Sequence, residues 1–321
     1  MLNPIHVAII GGGRWARVLA SVCIKLLPAG STLILCSPTN QKSWHDFMAQ
    51  PAKMPSIINI VFSDQSAILD NPDISHVLIA RRAAMHKHTA SLALAKGKRV
   101  FVEKPFAVNL EDAAELVAQS QPLQCVTGLV FRYSSNLRIF SKACCAKGKI
   151  RQIDLYWSDP AAENRYGENK AFDPSLNIAW DVFPHVWSIL AFFLPDHSIS
   201  VQQVRFTDTK HELVVCLKWS EVTVNLQMHR NAKARVRKIE VYGDDWSGDI
   251  EFSEEPGNAK IADTTLDVAH GFSSPLAQEL AAFFAADVAR IDPLCDIRNA
   301  LPALQLADLI TKDALSGGFA K

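Results

Sequence analysis

An apolar strand that runs directly into three glycines constrains the fold of this 321-residue chain more than any other feature of its sequence. Residues 7–10 are all apolar, and Gly11–Gly13 follow without a break. A helical pattern of apolar residues then extends over residues 14–27. A strand, a glycine turn and a helix in this order are typical of the first unit of a parallel sheet whose strands are joined by helices. We therefore expect a parallel α/β sheet at the start of the chain.

The spacing of the small residues in this turn predicts a dinucleotide-binding site. Gly11, Gly13 and Ala16 match the pattern G-x-G-x-x-G/A. The first glycine permits a tight turn, the second lets the backbone approach a pyrophosphate, and the small third residue allows close helix–strand packing. The N–H groups at the start of the helix then face the anion. We expect Arg14 and Trp15, the first helical residues, to lie beside the bound nucleotide.

The segment after the second strand-like run indicates which dinucleotide is bound. An NAD site usually has an acidic residue here that accepts from the ribose 2′-hydroxyl, but no acid appears in this segment before Asp46. Hydroxyl, amide and ammonium groups suit a 2′-phosphate better. We therefore predict NADP(H) in preference to NAD(H), and the alternative is a polar loop that does not discriminate. The residues predicted to hold the phosphate are Ser37, Thr39, Asn40 and Lys42.

The pattern of strands and helices divides the chain into two predicted domains. Short apolar strands alternate with helices through residue 124, which predicts a Rossmann domain with a doubly wound parallel sheet over residues 1–124. Strand-like runs then follow one another, which predicts an α+β domain with a large, mainly antiparallel sheet over residues 125–321. This second domain would bind substrate and mediate oligomerisation, with the C-terminal helix packing back on the first.

Composition excludes several classes of function. Lys plus Arg and Asp plus Glu both number 33, so the chain lacks the basic excess of a protein that binds nucleic acid by charge. No apolar stretch is long and uninterrupted enough to predict a membrane span. The seven cysteines show no metal-ligand spacing, which predicts reduced thiols and no metal site. Without a signal-peptide pattern at the N-terminus, we expect a cytoplasmic protein.

Two further motifs carry a resemblance to a known family. Glu-Lys-Pro stands at Glu103–Pro105 after a strand-like run, and His86 precedes it in the pattern H-x(10)-G-K-x-V-x-x-E-K-P. A D-x-x-x-H motif stands at Asp181 and His185. Together with the glycine turn and a similar final helix, these motifs resemble the Gfo/Idh/MocA oxidoreductase family. The resemblance extends over nearly the whole chain.

The resemblance implies a catalytic set of Lys104, His185 and Asp181. Lys104 lies one residue beyond the end of a parallel strand, where such sheets bind ligands, and a cation there stabilises alkoxide character. His185 would exchange a proton with a substrate oxygen. Asp181, as the N-cap of its helix, lies at i,i+4 from His185 and would share its face. The structural alternatives are an exposed Glu103–Lys104 ion pair, a capping aspartate and a satisfied histidine.

The sequence also departs from the family pattern. Arg81 and Arg82 replace its usual Thr-Pro pair, and they would either clasp a phosphate or acidic substrate or form a solvated pair. The remaining cofactor-binding candidates are Arg81, His86, Glu103 and Lys104, of which Lys104 is also a catalytic candidate. The substrate-binding candidates are Arg132, Tyr133, Trp180, Asp181 and His185.

These features predict an NADP(H)-dependent oxidoreductase that moves hydride between nicotinamide C4 and a carbonyl or alcohol carbon of a sugar, cyclitol or sugar-like metabolite. One alternative is an imine reductase of a biosynthetic pathway. Another is a regulator that binds NAD(P) without turnover. The expected partners are a small-molecule substrate and further copies of the chain, as a homodimer or homotetramer formed through the C-terminal sheet. Nucleic acid and membrane are not expected partners.

Overall fold

The computed structural model describes residues 3–37, 41–49, 58–165, 168–170, 172–194, 198–206 and 211–315. In the first part of the chain, strands alternate with helices. The strands are β1 (His6–Ile10), β2 (Thr32–Cys36), β3 (Asn59–Phe62), β4 (Ile74–Ile79), β5 (Arg99–Val102) and β6 (Cys125–Thr127). The helices are α1 (Arg14–Leu26), α2 (Gln41–Met48), α3 (Gln65–Asp70), α4 (His86–Ala95) and α5 (Leu110–Gln119).

These six strands form one parallel sheet in the order β3-β2-β1-β4-β5-β6. Its central strand, β1, is the apolar run before the glycines, and residues 7–10 of this strand are fully buried. A strand buried on both faces of a parallel sheet has a continuous apolar sequence, as this run does. The predicted doubly wound parallel sheet is confirmed.

The second part of the chain contains consecutive strands. The helices are α6 (Ser135–Lys147), α7 (Ile178–Leu190), α8 (Pro275–Phe284) and α9 (Ile297–Leu315). The strands are β7 (Gln152–Pro160), β8 (Glu163–Arg165), β9 (Glu168–Lys170), β10 (Ile199–Phe206), β11 (Glu212–Trp219), β12 (Val222–Ala232), β13 (Val236–Tyr242), β14 (Ser247–Glu251), β15 (Asn258–Ile261) and β16 (Thr264–Leu266).

Eight of these strands form a sheet in the order β10-β11-β12-β7-β13-β14-β15-β16. All neighbouring pairs are antiparallel except β12 and β7, which are parallel. Burial alternates residue by residue along β11 and β13, so one face of the sheet packs on a core and the other is partly exposed. The predicted large, mainly antiparallel sheet is confirmed. Strands β8 and β9 form a separate hairpin.

The chain divides into two compact units, of which the first comprises Met1–Val130 and Leu276–Pro302 and the second Phe131–Pro275 and Ala303–Lys321. Two hydrogen bonds anchor the later segment of the first unit. The Asp296 carboxylate accepts from the Leu123 N–H at 2.6 Å, and the Arg298 guanidinium donates to the Ser120 carbonyl. The predicted domain boundary at residue 124 and the packing of the C-terminal helix on the first domain stay predictions.

A 3₁₀ turn at Val130–Tyr133 follows the end of β6. One local expectation, which concerns the start of α7, was wrong. Asp181 does not cap its helix, because α7 begins at Ile178 and the Asn177 side chain accepts from the Trp180 N–H at 3.0 Å.

No helix in the described part of the chain is long and apolar enough to cross a membrane.

Candidate functional site

The carboxyl ends of the parallel strands bring the predicted motif residues of the first unit to one sheet edge. The residues that follow β1 and β5 donate their N–H groups to the last carbonyl of a neighbouring strand: Gly11 to Cys36 at 2.9 Å and Glu103 to Ile79 at 3.0 Å. Gly128 donates in the same way to the Val102 carbonyl at 3.0 Å. The glycine turn, the Glu-Lys-Pro run and the segment after β6 therefore lie along one edge, where open α/β sheets bind ligands.

Two glycines of the turn have different physical roles. A Cβ atom on Gly11 would lie 2.2 Å from the Ala80 carbonyl oxygen, and its φ of +156° favours glycine, so the neighbouring strand requires this residue. A Cβ on Gly13 would meet no protein atom within 4 Å. Gly13 is the N-cap of α1, whose first turn carries no acidic residue. This open, positively polarised helix start fits the pyrophosphate of a dinucleotide.

Helix α2 holds the glycine turn in place. The Ser43 hydroxyl donates to the Gly12 carbonyl at 3.0 Å, and the Trp44 indole N–H donates to the Gly11 carbonyl at 2.9 Å. Arg17 of α1 also donates to the Gly12 carbonyl, at 3.1 Å, and bonds to Ser43. Sequence reasoning missed these supporting residues. The two buried aromatic residues of this short helix, Trp44 and Phe47, are a local sign of its packing against the turn.

The residues predicted to bind a 2′-phosphate are only partly described. Ser37 follows β2 and is 6% exposed. Lys42 lies on α2, with its side chain 84% exposed, and forms an i,i+4 ion pair with Asp46 at 2.7 Å. Thr39 and Asn40 lie outside the described residues. Lys42 is therefore a solvated cation that already has a carboxylate partner.

Arg81 supplies positive charge closer to the end of β2. Its guanidinium donates to the Gln65 side chain and to the Thr89 hydroxyl, both at 3.1 Å. Burial raises the pKa of the Cys36 thiol to about 11, the charge of Arg81 opposes this rise, and the charge of Asp64 adds to it. The guanidinium thus lies within electrostatic reach of the last residue of β2, whereas Arg82 is exposed.

His86 joins two loops at the same sheet edge. Its Nδ1 contacts the Pro105 carbonyl at 2.8 Å and its Nε2 contacts the Arg81 carbonyl at 3.1 Å, while the residue is 2% exposed. A carbonyl oxygen only accepts, so a neutral ring donates to one of the two and a protonated ring to both. His86 therefore fixes the loops that carry Arg81 and Lys104.

The Glu-Lys-Pro run begins directly after β5, with a cis peptide between Lys104 and Pro105. The Glu103 carboxylate lies against Gly128, where an added Cβ would be 3.1 and 3.2 Å from its two oxygens. Burial raises the pKa of Glu103 to about 7, and the Trp15 indole and the Lys104 charge oppose this rise. Glu103 is therefore not a simple exposed ion-pair partner of Lys104.

In the second unit, Asp181 and His185 lie one turn apart on α7. Both are half-buried, while the other residues of this helix from Ile178 to Leu190 are buried. Helical spacing of four places the two side chains on one face. The expectation that they share a face holds, although the helix starts a turn earlier than predicted.

The Asp181 carboxylate is held by Arg230 of β12. The guanidinium bonds to Asp181 at 2.8 Å and also donates to the carbonyls of Leu176 and Asn177, at 2.8 and 3.1 Å. Arg230 is 4% exposed. It therefore ties the start of α7 to the sheet and fixes the direction of the Asp181 carboxylate. Sequence reasoning missed Arg230, since strand register alone brings it to the helix.

His185 stacks on Trp157 of β7, with ring centroids 5.6 Å apart and planes 18° apart, and Phe131 meets the imidazole edge-on at 5.2 Å. Trp157 is itself held, because its indole N–H donates to Asp159 at 3.1 Å and the Arg237 guanidinium lies 3.5 Å from its ring centroid. Arg237 also pairs with Asp159 at 2.7 Å. This buried cluster orients the imidazole, and it too was missed.

The predicted substrate residues of the second unit differ in how they are engaged. Arg132 donates to the Ser188 carbonyl at 3.0 Å and lies 3.9 Å from the Phe192 ring centroid. Tyr133 and Trp180 are both 7% exposed. These three side chains help to pack the unit, and a role in binding substrate stays a prediction. Among the described residues, no group of three or more histidine, cysteine or acidic side chains could hold a metal ion.

Comparison with known proteins agrees with the motifs of the first unit. Residues 5–130 match the model of the Gfo/Idh/MocA oxidoreductase family, whose description is an NAD-binding Rossmann fold. This match covers less than half of the chain and includes the glycine turn and the Glu-Lys-Pro run.

One curated relative is the inositol 2-dehydrogenase of Pseudomonas savastanoi pv. phaseolicola. It is 28% identical over 207 residues, which cover 62% of this chain and 57% of the relative. The matched region thus spans less than two thirds of that relative.

Solved structures with the same fold cover nearly the whole chain. A levoglucosan dehydrogenase in complex with NADH and levoglucosan gives a TM-score of 0.78 at 16% identity and covers 98% of both chains. A 3-ketoreductase from Actinomadura kijaniata in complex with TDP-benzene and NADP gives 0.75 at 18% identity, covering 95% of this chain and 96% of that one. At these identities the likeness is one of fold.

Proposed function

We propose that this protein is an NADP(H)-dependent oxidoreductase that interconverts an alcohol and a ketone on a sugar, a cyclitol or a related polyol. The observation that carries this proposal is the open helix start at Gly13, on the same sheet edge as Lys104. The first feature fits a dinucleotide pyrophosphate, and the second supplies a cation where the chemistry of such sheets takes place. The family match supports a redox reaction.

The bound nicotinamide would supply a hydride acceptor at its C4 atom. In the oxidative direction, the substrate carbon loses hydride and its hydroxyl loses a proton. We assign the proton to His185, since an imidazole takes up a proton near neutral pH. Lys104 would stabilise the negative charge that develops on the substrate oxygen. Asp181, oriented by Arg230, would accept a hydrogen bond from a substrate hydroxyl.

Three observations favour NADP(H) over NAD(H). No acidic residue appears between β2 and Asp46, and Asp46 is paired with Lys42. The charge of Arg81 reaches the end of β2, where the adenosine ribose binds in such sheets. Arg81 is therefore a better candidate than Lys42 for contact with a 2′-phosphate. The structural neighbours include one complex with NADH and one with NADP, so they favour neither cofactor.

Polyhydroxylated substrates are favoured by the relatives, since one of them is an inositol 2-dehydrogenase. Measuring NADP⁺ reduction with a panel of inositols, hexoses and anhydrosugars, and NADPH oxidation with the matching ketones and with imines, tests the class. Turnover with polyols would support the proposal, and turnover with imines alone would replace it by an imine reductase. Tight NADPH binding without turnover across the panel would favour a sensing protein.

The ratio of kcat/KM for NADPH to that for NADH tests the cofactor assignment. We expect a ratio well above one, and we expect Arg81→Ala to lower kcat/KM for NADPH about tenfold with little effect on NADH, as loss of one charged hydrogen bond does. Arg82→Ala is the matched control, because Arg82 is the exposed neighbour. A wild-type preference for NADH would contradict the assignment.

The proposal also includes a cytoplasmic location. It further includes assembly as a homodimer or homotetramer through the partly exposed face of the eight-stranded sheet. The alternation of buried and half-buried residues along β11 and β13 supports the second point, since it leaves one face of the sheet available. Light scattering of the purified protein measures the assembly.

A further inference from the structure

Glu279 of α8 places a buried carboxyl group next to the half-buried Glu103. It is 3% exposed, and one of its oxygens accepts from the Leu129 N–H at 2.8 Å. The residue before Leu129 is Gly128, which lies against both oxygens of the Glu103 carboxylate. The two carboxyl groups thus contact consecutive residues of one segment. Both belong to the first unit, although they lie far apart in the sequence.

The two carboxyl groups have different surroundings. Glu103 is next to the Lys104 charge and the Trp15 indole, both of which favour its ionised form. The charged groups that act on Glu279 are Glu103 and Asp292, which are both acidic. Within the part of the chain that the structure describes, the Leu129 N–H is the hydrogen-bond partner of Glu279. An ionised Glu279 would therefore face a neighbouring carboxylate without a cation, in a place from which water is excluded.

The directions of the pKa shifts agree with this geometry. Burial raises the pKa of Glu279 well above its usual range, and the Glu103 charge raises this pKa further. The pKa of Glu103 rises only to about 7. When two carboxyl groups share a buried site, the first proton to leave comes from the group with the better partners. Here that group is Glu103.

We propose that Glu279 stays protonated at neutral pH, so that any negative charge of this carboxyl pair resides on Glu103, beside Lys104. Glu279 is then a positioning residue, since it acts through Glu103 and not on substrate. Its neutral carboxyl fixes the Gly128–Leu129 segment without adding a second negative charge next to Glu103. The protonation state of Glu279 does not depend on the proposed function. Its positioning role rests on that function, because it assumes that Lys104 takes part in the reaction.

The pH dependence of unfolding tests the protonation state without reference to activity. A folded-state pKa above the unfolded value gives stability that is full below the unfolded pKa and is lost as pH rises towards the folded pKa. Relative to Glu279→Gln, which cannot titrate, the folding constant of the wild-type protein should therefore fall about tenfold per pH unit from about pH 5 upward. Urea unfolding of both proteins, at about one-unit steps from about pH 5.5 to about pH 8.5, gives the ratio of their folding constants.

A matched control is Glu111→Gln, which alters an exposed glutamate in the first turn of α5. The ratio of its folding constant to that of the wild-type protein should stay constant over the same pH range. A constant ratio for Glu279→Gln as well would overturn the proposal, because Glu279 would then be ionised in the folded protein.

Infrared spectroscopy provides a second measurement on the folded protein. At a pH where Glu103 is ionised, we expect a protonated carboxyl band that persists in Glu103→Gln and disappears in Glu279→Gln. Absence of the band from the wild-type protein, or its survival in Glu279→Gln, would overturn the assignment.

If turnover is established, Glu279→Leu should lower kcat more than Glu279→Gln, since only glutamine keeps an acceptor for the Leu129 N–H. If both variants have equal kcat, Glu279 is not a positioning residue.

Discussion

The carbonyl oxygen of Ala80 would lie 2.2 Å from a Cβ atom at Gly11, whereas a Cβ at Gly13, two residues later, would meet no protein atom within 4 Å. The first glycine is therefore required by the contact between the glycine turn and the end of β4. At Gly13, no contact within the protein requires a residue without a Cβ atom. Its open surroundings are where a pyrophosphate would approach the backbone.

This difference predicts opposite phenotypes for two alanine substitutions. Gly11→Ala should destabilise the protein by about 2–4 kcal/mol, because the overlap with backbone and the positive φ cannot both be relieved. Gly13→Ala should leave the melting temperature close to that of the wild-type protein but weaken NADPH binding about tenfold or more. Thermal melts and fluorescence titration with NADPH measure the two effects. Equal NADPH affinity in Gly13→Ala and the wild-type protein would exclude close approach of a ligand at this residue.

Lys104 is expected to contribute positive charge to the reaction. Lys104→Ala should lower kcat by about 100-fold or more, with a smaller change in the Kd for NADPH, as removal of a group that stabilises developing charge does. Lys104→Arg should retain part of the activity, because it keeps the charge. Lys96→Ala is the control, since Lys96 is an exposed residue after the end of α4, paired with Asp70. Wild-type turnover in Lys104→Ala would refute this role.

His185 is the predicted acid–base group, and its stacking on Trp157 allows a paired test. His185→Ala should lower kcat by about 100-fold or more and remove a titration from the pH profile of kcat. Trp157→Phe keeps an aromatic ring under the imidazole but loses the hydrogen bond to Asp159, so its loss should be smaller. Steady-state kinetics across pH distinguish the two variants. A pH profile of unchanged shape in His185→Ala would assign the proton transfer to another group.

The ion pair between Arg230 and Asp181 should also contribute to stability. Removing one partner of a buried pair leaves the other charge uncompensated, so Arg230→Gln should lower the free energy of unfolding by about 3 kcal/mol. Adding Asp181→Asn to this variant should recover part of the loss. Urea unfolding of the two single variants and the double variant gives the coupling between the residues. If the two changes were simply additive, the carboxylate would not depend on this guanidinium.

Those parts of the site that depend on local sequence could be predicted. The glycine turn and the Glu-Lys-Pro run each follow a parallel strand directly, so the topology of the sheet alone brings them to one edge. The capping residue of α7 was harder to predict, because Asn177 and Asp181 are both good N-caps one turn apart. The hydrogen bond from the Trp180 N–H to Asn177 decides in favour of the earlier residue.

Contacts between distant segments could not be predicted from the sequence. Arg230 and Arg237 reach α7 and Trp157 through the register of β12 and β13, and a one-residue shift of a strand would turn either side chain to the other face. Glu279 joins the Rossmann sheet only because the chain returns to the first unit at Leu276. No periodicity or local motif marks this return.

His76 of β4 is a buried histidine whose bonding pattern fixes its neutral form. The Arg99 guanidinium, which can only donate, contacts its Nε2 at 3.1 Å, and the Ser75 hydroxyl contacts its Nδ1 at 2.7 Å. The Nε2 atom therefore accepts and Nδ1 carries the proton. Burial, together with the charge of Arg99, lowers the pKa of His76 to about 4.

This lowered pKa predicts an acid-labile fold. A neutral buried histidine contributes stability that is full above the unfolded pKa of about 6.5 and is lost as pH falls towards the folded pKa. The loss between about pH 6.5 and pH 4 should amount to about 3 kcal/mol, at 1.4 kcal/mol per pKa unit. His76→Gln, which keeps an acceptor for Arg99, should lack this share of the acid sensitivity, whereas His88→Gln on the exposed side of α4 should behave as the wild-type protein does. Urea unfolding at a series of pH values measures the difference, and parallel curves for the wild-type protein and His76→Gln would show that folding does not lower the pKa of His76.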